Sequence, residues 1–159
     1  MSQLDGIRVV VLADRLVDTG ARMLAELGAE VVLAEVGDGL TPERERAWRR
    51  DLRRADNPLA EHIAEADILL DDRRRITQRP EVDAAAKANP DLIHVVATGF
   101  PGGDARPVTD LTLMAESGLM HVTGTPDAPP LRLPGEQAYA LTGIQVATVA
   151  LMGLAARRR

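Results

Sequence analysis

Ile7-Arg8-Val9-Val10-Val11-Leu12 is a β-branched run of strand length, and the two segments after it decide the fold. Asp18-Thr19-Gly20 leads into Ala21-Arg22-Met23-Leu24-Ala25-Glu26-Leu27, whose apolar spacing is that of an amphipathic helix, with Gly28 placed to end it. Glu30-Val31-Val32-Leu33-Ala34-Glu35 reads as a second strand, followed by a turn at Gly37-Asp38-Gly39. Strand, helix and strand in this order, with apolar strands, predict a parallel sheet covered by helices. The expectation is an α/β fold, a Rossmann-like parallel sheet wound by helices, in a single domain over residues 1–159.

The rest of the chain continues the alternation. Residues 41–54 are charged, with proline at the first helical position after Thr41. Their mixed signs predict a solvated helix rather than an anion-binding strip. Residues 59–66 read as a helix, Asp67-Ile68-Leu69-Leu70-Asp71 as a third strand, and 80–89 as an alanine-rich helix ended by Pro90. Leu92-Ile93-His94-Val95-Val96-Ala97 is a fourth strand. A glycine- and proline-rich loop over 99–107 precedes a predicted helix over 108–118. Residues 123–134 hold four prolines, which discourage regular pairing, and 136–156 read as the last helix.

The chain has 159 residues, of which 45% are hydrophobic and 27% charged, as expected for one globular domain and not for a disordered chain. Aromatic residues supply only 2% (Trp48, Phe100 and Tyr139), so the core must come from aliphatic side chains. A net charge of −5 argues against nucleic acid as a partner. With no cysteine, disulfide scaffolds, thiolate metal sites and cysteine nucleophiles are excluded. The first residues, Met1-Ser2-Gln3-Leu4-Asp5, lack the basic and apolar regions of a secretory signal, so the cytoplasm is the expected compartment. Residues 141–156 are apolar but shorter than the roughly 20 residues of a membrane span. They are expected to form a helix buried on most of its surface, with no membrane partner.

A dinucleotide-binding fold needs glycines in its first strand–helix turn, and Ala13-Asp14-Arg15-Leu16-Val17-Asp18 has none. No Walker A sequence is present, and the single lysine, Lys87, sits on a predicted helix. His62, predicted on a helix surface, His94, predicted within a strand, and His121 show no metal-ligand spacing, so no metal is expected. No G-x-S-x-G elbow occurs. Asp14 with Asp71-Asp72 is similar to the carboxylate cluster of a phosphorylation receiver domain, but no lysine follows Lys87 to complete it.

Several segments, in order, resemble the class III CoA-transferase family, which also contains α-methylacyl-CoA racemases and carnitine-related CoA-transferases. Leu4-Asp5-Gly6-Ile7-Arg8-Val9-Val10-Val11-Leu12 resembles its opening L-x-G-(L/I)-R-V-L-D-L. Leu24-Ala25-Glu26-Leu27-Gly28-Ala29-Glu30-Val31 with Glu35 resembles L-A-D-L-G-A-D-V-I-K-V-E. Ala66-Asp67-Ile68-Leu69-Leu70, Asn89-Pro90-Asp91-Leu92-Ile93 and Thr98-Gly99-Phe100 are similar to A-D-V-L-V, N-P-x-L-I/V and T-G-F. The fullest stretch runs from Asp110 to Pro130, including Met114-Ala115-Glu116-Ser117-Gly118-Leu119-Met120. The resemblance covers the first part of the family's longer chains, whose copies interlock as dimers.

The resemblance implies chemistry on acyl-CoA thioesters and shows where this chain departs from it. The family's R-x-G-x-P-x-x-D-x-x-A-G segment corresponds to residues 132–143, where Arg132 and Gly143 keep their places and Tyr139 stands at the aspartate nucleophile. A phenol of ordinary pKa about 10 cannot replace an ionised carboxylate that forms a mixed anhydride. Glu136 is the nearby carboxylate candidate. The racemase histidine position is Thr109, which offers no useful acid or base. The coenzyme A pocket would involve Leu16, in Leu16-Val17-Asp18, and Asp72, Arg73 and Arg74, with Arg75 beside them. Between Glu35 and Ala66 the family's N-R-G-K-R strand is missing from the sequence. The expectation is a degenerate, non-catalytic half that forms a homodimer or a hetero-complex with a longer class III chain, with coenzyme A or acyl-CoA as ligand and no covalent cofactor. The alternative is an acting CoA-transferase or racemase that uses Glu136 or residues supplied by a partner.

Overall fold

The computed structural model describes residues 2–36, 41–50, 52–74, 78–101 and 106–157. Five parallel strands, β1 (Arg8–Ala13), β2 (Glu30–Val36), β3 (Arg53–Arg54), β4 (Ile68–Asp72) and β5 (Ile93–Ala97), lie in the order β3-β2-β1-β4-β5. Helices α1 (Asp18–Glu26), α2 (Pro42–Arg49), α3 (Leu59–Ala64), α4 (Pro80–Ala88), α5 (Asp110–Glu116) and α6 (Gln137–Arg157) complete the chain. This is the α/β, Rossmann-like sheet that the apolar strand runs predict.

Both faces of β1 and β4 are buried, as a parallel sheet requires. Val9, Val11, Ile68 and Leu70 face one core with Leu24 of α1 and Ala147, Ala150 and Leu154 of α6. Val10, Leu12 and Leu69 face the other, with Ile63 of α3 and Val82 of α4. The period-two alternation of a strand therefore sends neighbouring side chains to different helices. Asp71 and Asp72, at the end of β4, are separated in the same way.

Four expectations need correction. The charged stretch is not one helix to Arg54: α2 ends at Arg49, and Arg53–Arg54 pairs with Val32 and Leu33 of β2. A strand thus occupies the place where the family's N-R-G-K-R sequence is absent. The helix expected over 108–118 is shorter, because Thr109 caps it: its hydroxyl accepts from the Thr112 N–H, and Thr112 Oγ1 accepts from the Thr109 N–H. His62 is buried rather than on a helix surface, and its Nε2 accepts from the Asn57 N–H at 3.3 Å. Finally, α6 has 21 residues, long and apolar enough to cross a membrane, and it is buried along one face only. That face packs into the core on one side of the sheet, with Gly143 against α1. The turn at residues 37–39, and Arg75, lie outside the described residues.

The α1–α6 contact is a close approach of two helix backbones. A Cβ at Gly20 would lie 2.7 Å from the Gly143 carbonyl oxygen, and one at Gly143 would lie 2.5 Å from Thr19 Cβ. Neither gap admits a methyl group without moving a helix. Gly143→Ala is expected to destabilise the fold by about 1–3 kcal/mol, read as a lower urea midpoint at unchanged slope. Gly135→Ala, where a Cβ has room but φ is +79°, separates crowding from backbone strain.

Candidate functional site

In an open parallel sheet, ligands bind outside the carboxyl ends of the strands where the strand order reverses. Here that point lies between β1 and β4. The turn after β1 supplies Asp14, Arg15 and Leu16, the exit of β4 supplies Asp72, Arg73 and Arg74, and the start of α6 supplies Glu136 and Tyr139.

Asp72 ties the two turns together. Its carboxylate accepts from the Leu16 N–H at 2.6 Å and from the Arg74 N–H at 2.8 Å. The Arg74 guanidinium donates to Asp14 at 2.5 Å and to the Val108 carbonyl at 3.2 Å. Leu16, Asp72 and Arg74, three of the residues expected to meet coenzyme A, are therefore brought together by bonds to one another or to the turn beside them. Arg73 points the other way, to Asp71 and to Asp83 of α4.

Tyr139 is only 8% exposed. Its hydroxyl donates to the Val108 carbonyl at 3.3 Å, and its ring lies 5.2 Å from the Arg15 guanidinium carbon and 5.8 Å from that of Arg74. Burial holds the phenol above its ordinary pKa, against the pull of Arg74 and Arg15. Glu136 forms an ion pair with Arg15 at the mouth of the crevice. The cavity between them, lined by Arg15, Thr19, Trp48 and Tyr139, holds only about 10 Å³. A small-molecule site usually needs about 300–1,000 Å³, so the described residues leave no room beside Tyr139 for an acyl thioester. An open cleft of about 430 Å³ follows Arg132–Glu136 on the outside.

Two side chains that shape the site have no pattern in the sequence that points to it. Arg15 carried no signal, because its partners Glu136 and Tyr139 are more than a hundred residues away. Asp110 stands out in the sequence only through the family resemblance, yet its carboxylate accepts from the N–H groups of Ala138 and Tyr139, capping α6 and fixing Tyr139. Thr109, expected from the resemblance to stand in place of a racemase histidine, uses its hydroxyl to cap α5. Asp14 and Asp72 both bond Arg74, whereas Asp71 faces α4 and His94, so the receiver-like trio is not assembled. Among the described residues, no group of three or more His, Cys, Asp or Glu could hold a metal ion.

The acidities of the two neighbouring aspartates diverge. Burial pushes Asp72 up to about 7, with Asp14 adding to the effect and the Arg74 and Leu16 N–H groups opposing it. Burial would raise Asp71 too, but hydrogen bonds from His94 and Arg73 hold it below the ordinary range. Burial also raises Asp18 to about 6, despite its bidentate pair with Arg49 at 3.1 Å. A carboxyl whose pKa is raised on folding binds more protons in the native state, so its stabilising contribution is present below the unfolded value and lost as pH rises through the folded one. Asp72 should therefore give stability that declines between about pH 4 and 7. In Asp72→Asn, urea midpoints measured across that window are expected to vary less steeply with pH than in the wild type.

Residues 51–159 match the family model described as CoA-transferase family III. No curated protein matches the sequence. Among solved structures, the Rv3272 protein of Mycobacterium tuberculosis superposes with a TM-score of 0.78 at 25% identity, over 100% of this chain and 50% of that one. A CaiB/BaiF family protein from Brucella suis gives 0.74 at 24% identity, over 99% of this chain and 50% of that one. The chain spans about half the length of these relatives. With the family match covering most of its residues and its fold shared along its whole length, the chain belongs to CoA-transferase family III.

Proposed function

We propose that this chain is a degenerate, non-catalytic member of the family, which acts in the cytoplasm by pairing with an acyl-CoA-processing relative or completing its site. The observation that carries the reading is Tyr139. At the nucleophile position implied by the resemblance stands a buried phenol, donating to a backbone carbonyl and held neutral at physiological pH. It can neither form an acyl anhydride nor move without losing the Val108 bond and the two guanidinium contacts.

The rival reading, an enzyme acting through Glu136, has one point in its favour: this carboxylate lies at the mouth of the same crevice. Its ion pair with Arg15 opposes it, because nucleophilic attack would have to break that pair. Coenzyme A contact through Leu16, Asp72, Arg73 and Arg74 belongs, on this proposal, to the assembled complex. In the chain alone, the first two and the fourth are engaged around Asp72 and Asp14, and Arg73 lies across the sheet.

Incubation with labelled acyl-CoA, followed by mass spectrometry of the isolated chain, is expected to show no acyl or CoA adduct. Tyr139→Asp should remain inactive as well, because positioning of the reactants supplies about 7–11 kcal/mol of a favourable barrier reduction and a cavity of about 10 Å³ is too small to position a thioester. Coenzyme A should leave the melting temperature of the isolated chain unchanged, since only a ligand that binds the folded state raises it. An adduct on Glu136 that disappears in Glu136→Ala would put the enzyme reading first.

A further inference from the structure

The Tyr139 crevice has walls of two kinds. Thr19 stands on α1 and Tyr139 and Ala140 on α6, two helices bound by the aliphatic core and by the Gly20–Gly143 approach. A further wall is Trp48, on α2. α2 packs against α1, yet none of its described side chains is both apolar and buried: Trp48 is half-buried, and the buried one is Arg49. Neither apolar core contains a residue of α2. The helix therefore lacks the packed apolar face that supplies most helical stability in proteins.

Polar contacts hold it instead. The Arg49 guanidinium donates to both oxygens of Asp18, at 3.1 Å each, and both residues are buried. Arg22 of α1 donates to the Ala47 carbonyl at 2.5 Å from an exposed position. Arg54 of β3 pairs with Glu45, also close to solvent, where such pairs add little. The buried pair is the principal contact, and it is poorly compensated. Arg49 Nη1 is buried without a hydrogen-bond partner. Burial raises Asp18 to about 6 in spite of the two bonds from Arg49, with Arg15 adding to their pull and Asp14 opposing it. For buried ions, the cost of desolvation can exceed the mutual attraction. Detachment of α2 returns both to water.

We propose that α2 is a releasable wall of the crevice, which detaches from α1 while the sheet stays folded, with the Asp18–Arg49 pair as its catch. The inference goes beyond the functional reading above, since it concerns access to Tyr139 and holds for a catalytic or a non-catalytic chain. Release breaks no contact within either core, and local opening of this kind costs less than global unfolding. With α2 in place the cavity beside Tyr139 holds only about 10 Å³. With Trp48 withdrawn, that side of the phenol faces solvent.

The composition supplies specific probes, because the chain has one tryptophan, one tyrosine and no cysteine. Nitration of Tyr139 by tetranitromethane, located by mass spectrometry, reports access to the crevice, and Trp48 fluorescence reports the wall. In the folded wild type, nitration is expected at a rate nearly independent of urea below the unfolding transition. Arg22→Ala removes the bond to Ala47 from outside the crevice and should speed nitration about three- to tenfold. Arg49→Met breaks the catch and should speed it further, with Trp48 emission shifted to the red. Its urea midpoint, followed by far-UV circular dichroism, should stay close to that of the wild type. Arg8→Ala, which removes ion pairs at the opposite end of β1, should leave nitration unchanged. A tyrosine that resists nitration until the chain unfolds, or a rate that climbs with urea alongside global unfolding, would overturn the proposal. So would an equal effect of Arg8→Ala, or an Arg49→Met chain that fails to fold, since α2 would then be integral to the fold.

Discussion

Gly20 and Gly143 bring α1 and α6 so close that a side chain on either would strike the other helix. Everything at the carboxyl ends of the strands depends on this contact. It fixes the start of α6 over the turn after β1, and so places Tyr139 and Glu136 beside Arg15, far apart in sequence. Asp110 then fixes the first turn of α6 by accepting from two of its N–H groups, which no residue inside the helix could satisfy. Thr109 holds Asp110 in place by capping its short helix. A glycine pair, a helix cap and a carboxylate cap, each ordinary alone, together determine where the phenol sits.

The strand runs were legible because burial on both faces demands apolar, β-branched residues, and Val9-Val10-Val11 and Ile68-Leu69-Leu70 supply them. β3 was not legible, since two exposed arginines carry no strand signal and are held only by their pairing with β2. The depth of α6 was misjudged for a related reason: an apolar helix reads the same whether one face or all of it is covered. Within the site, Tyr139 and Glu136 could be singled out by resemblance, but no residue pattern announces that Arg15 reaches Glu136 or that Arg74 reaches Asp14. Side-chain ion pairs formed across the fold leave no periodicity in the sequence. Arg73 and Arg74 show the limit most plainly. As neighbours in a basic run they looked equivalent, yet the alternation at the end of β4 sends them to opposite sides of the sheet.

That alternation also gives Asp71 and Asp72 different chemistry. Asp71 meets Arg73 and His94 and, at 3.4 Å, Arg79, so its charge is retained in spite of complete burial. Among the described residues, Asp72 meets only backbone N–H groups at hydrogen-bond distance, Asp14 adds to the rise, and burial prevails. Two backbone donors do not offset the desolvation of a carboxylate as a guanidinium does. The dipeptide therefore presents an ionised group to the α4 side and a group close to half-protonated at neutral pH to the crevice.

This difference bears on what the crevice can accept. Family chemistry on a thioester calls for a charged nucleophile and for cations available to an anionic ligand. Here Asp72, at the end of β4, is partly neutral, and the phenol of Tyr139 is neutral. The two arginines already engage carboxylates of their own chain, Arg15 with Glu136 and Arg74 with Asp14. An incoming phosphate would have to compete with a carboxylate already held within hydrogen-bond reach of each guanidinium. Closure of the crevice thus arises from charge as well as from volume.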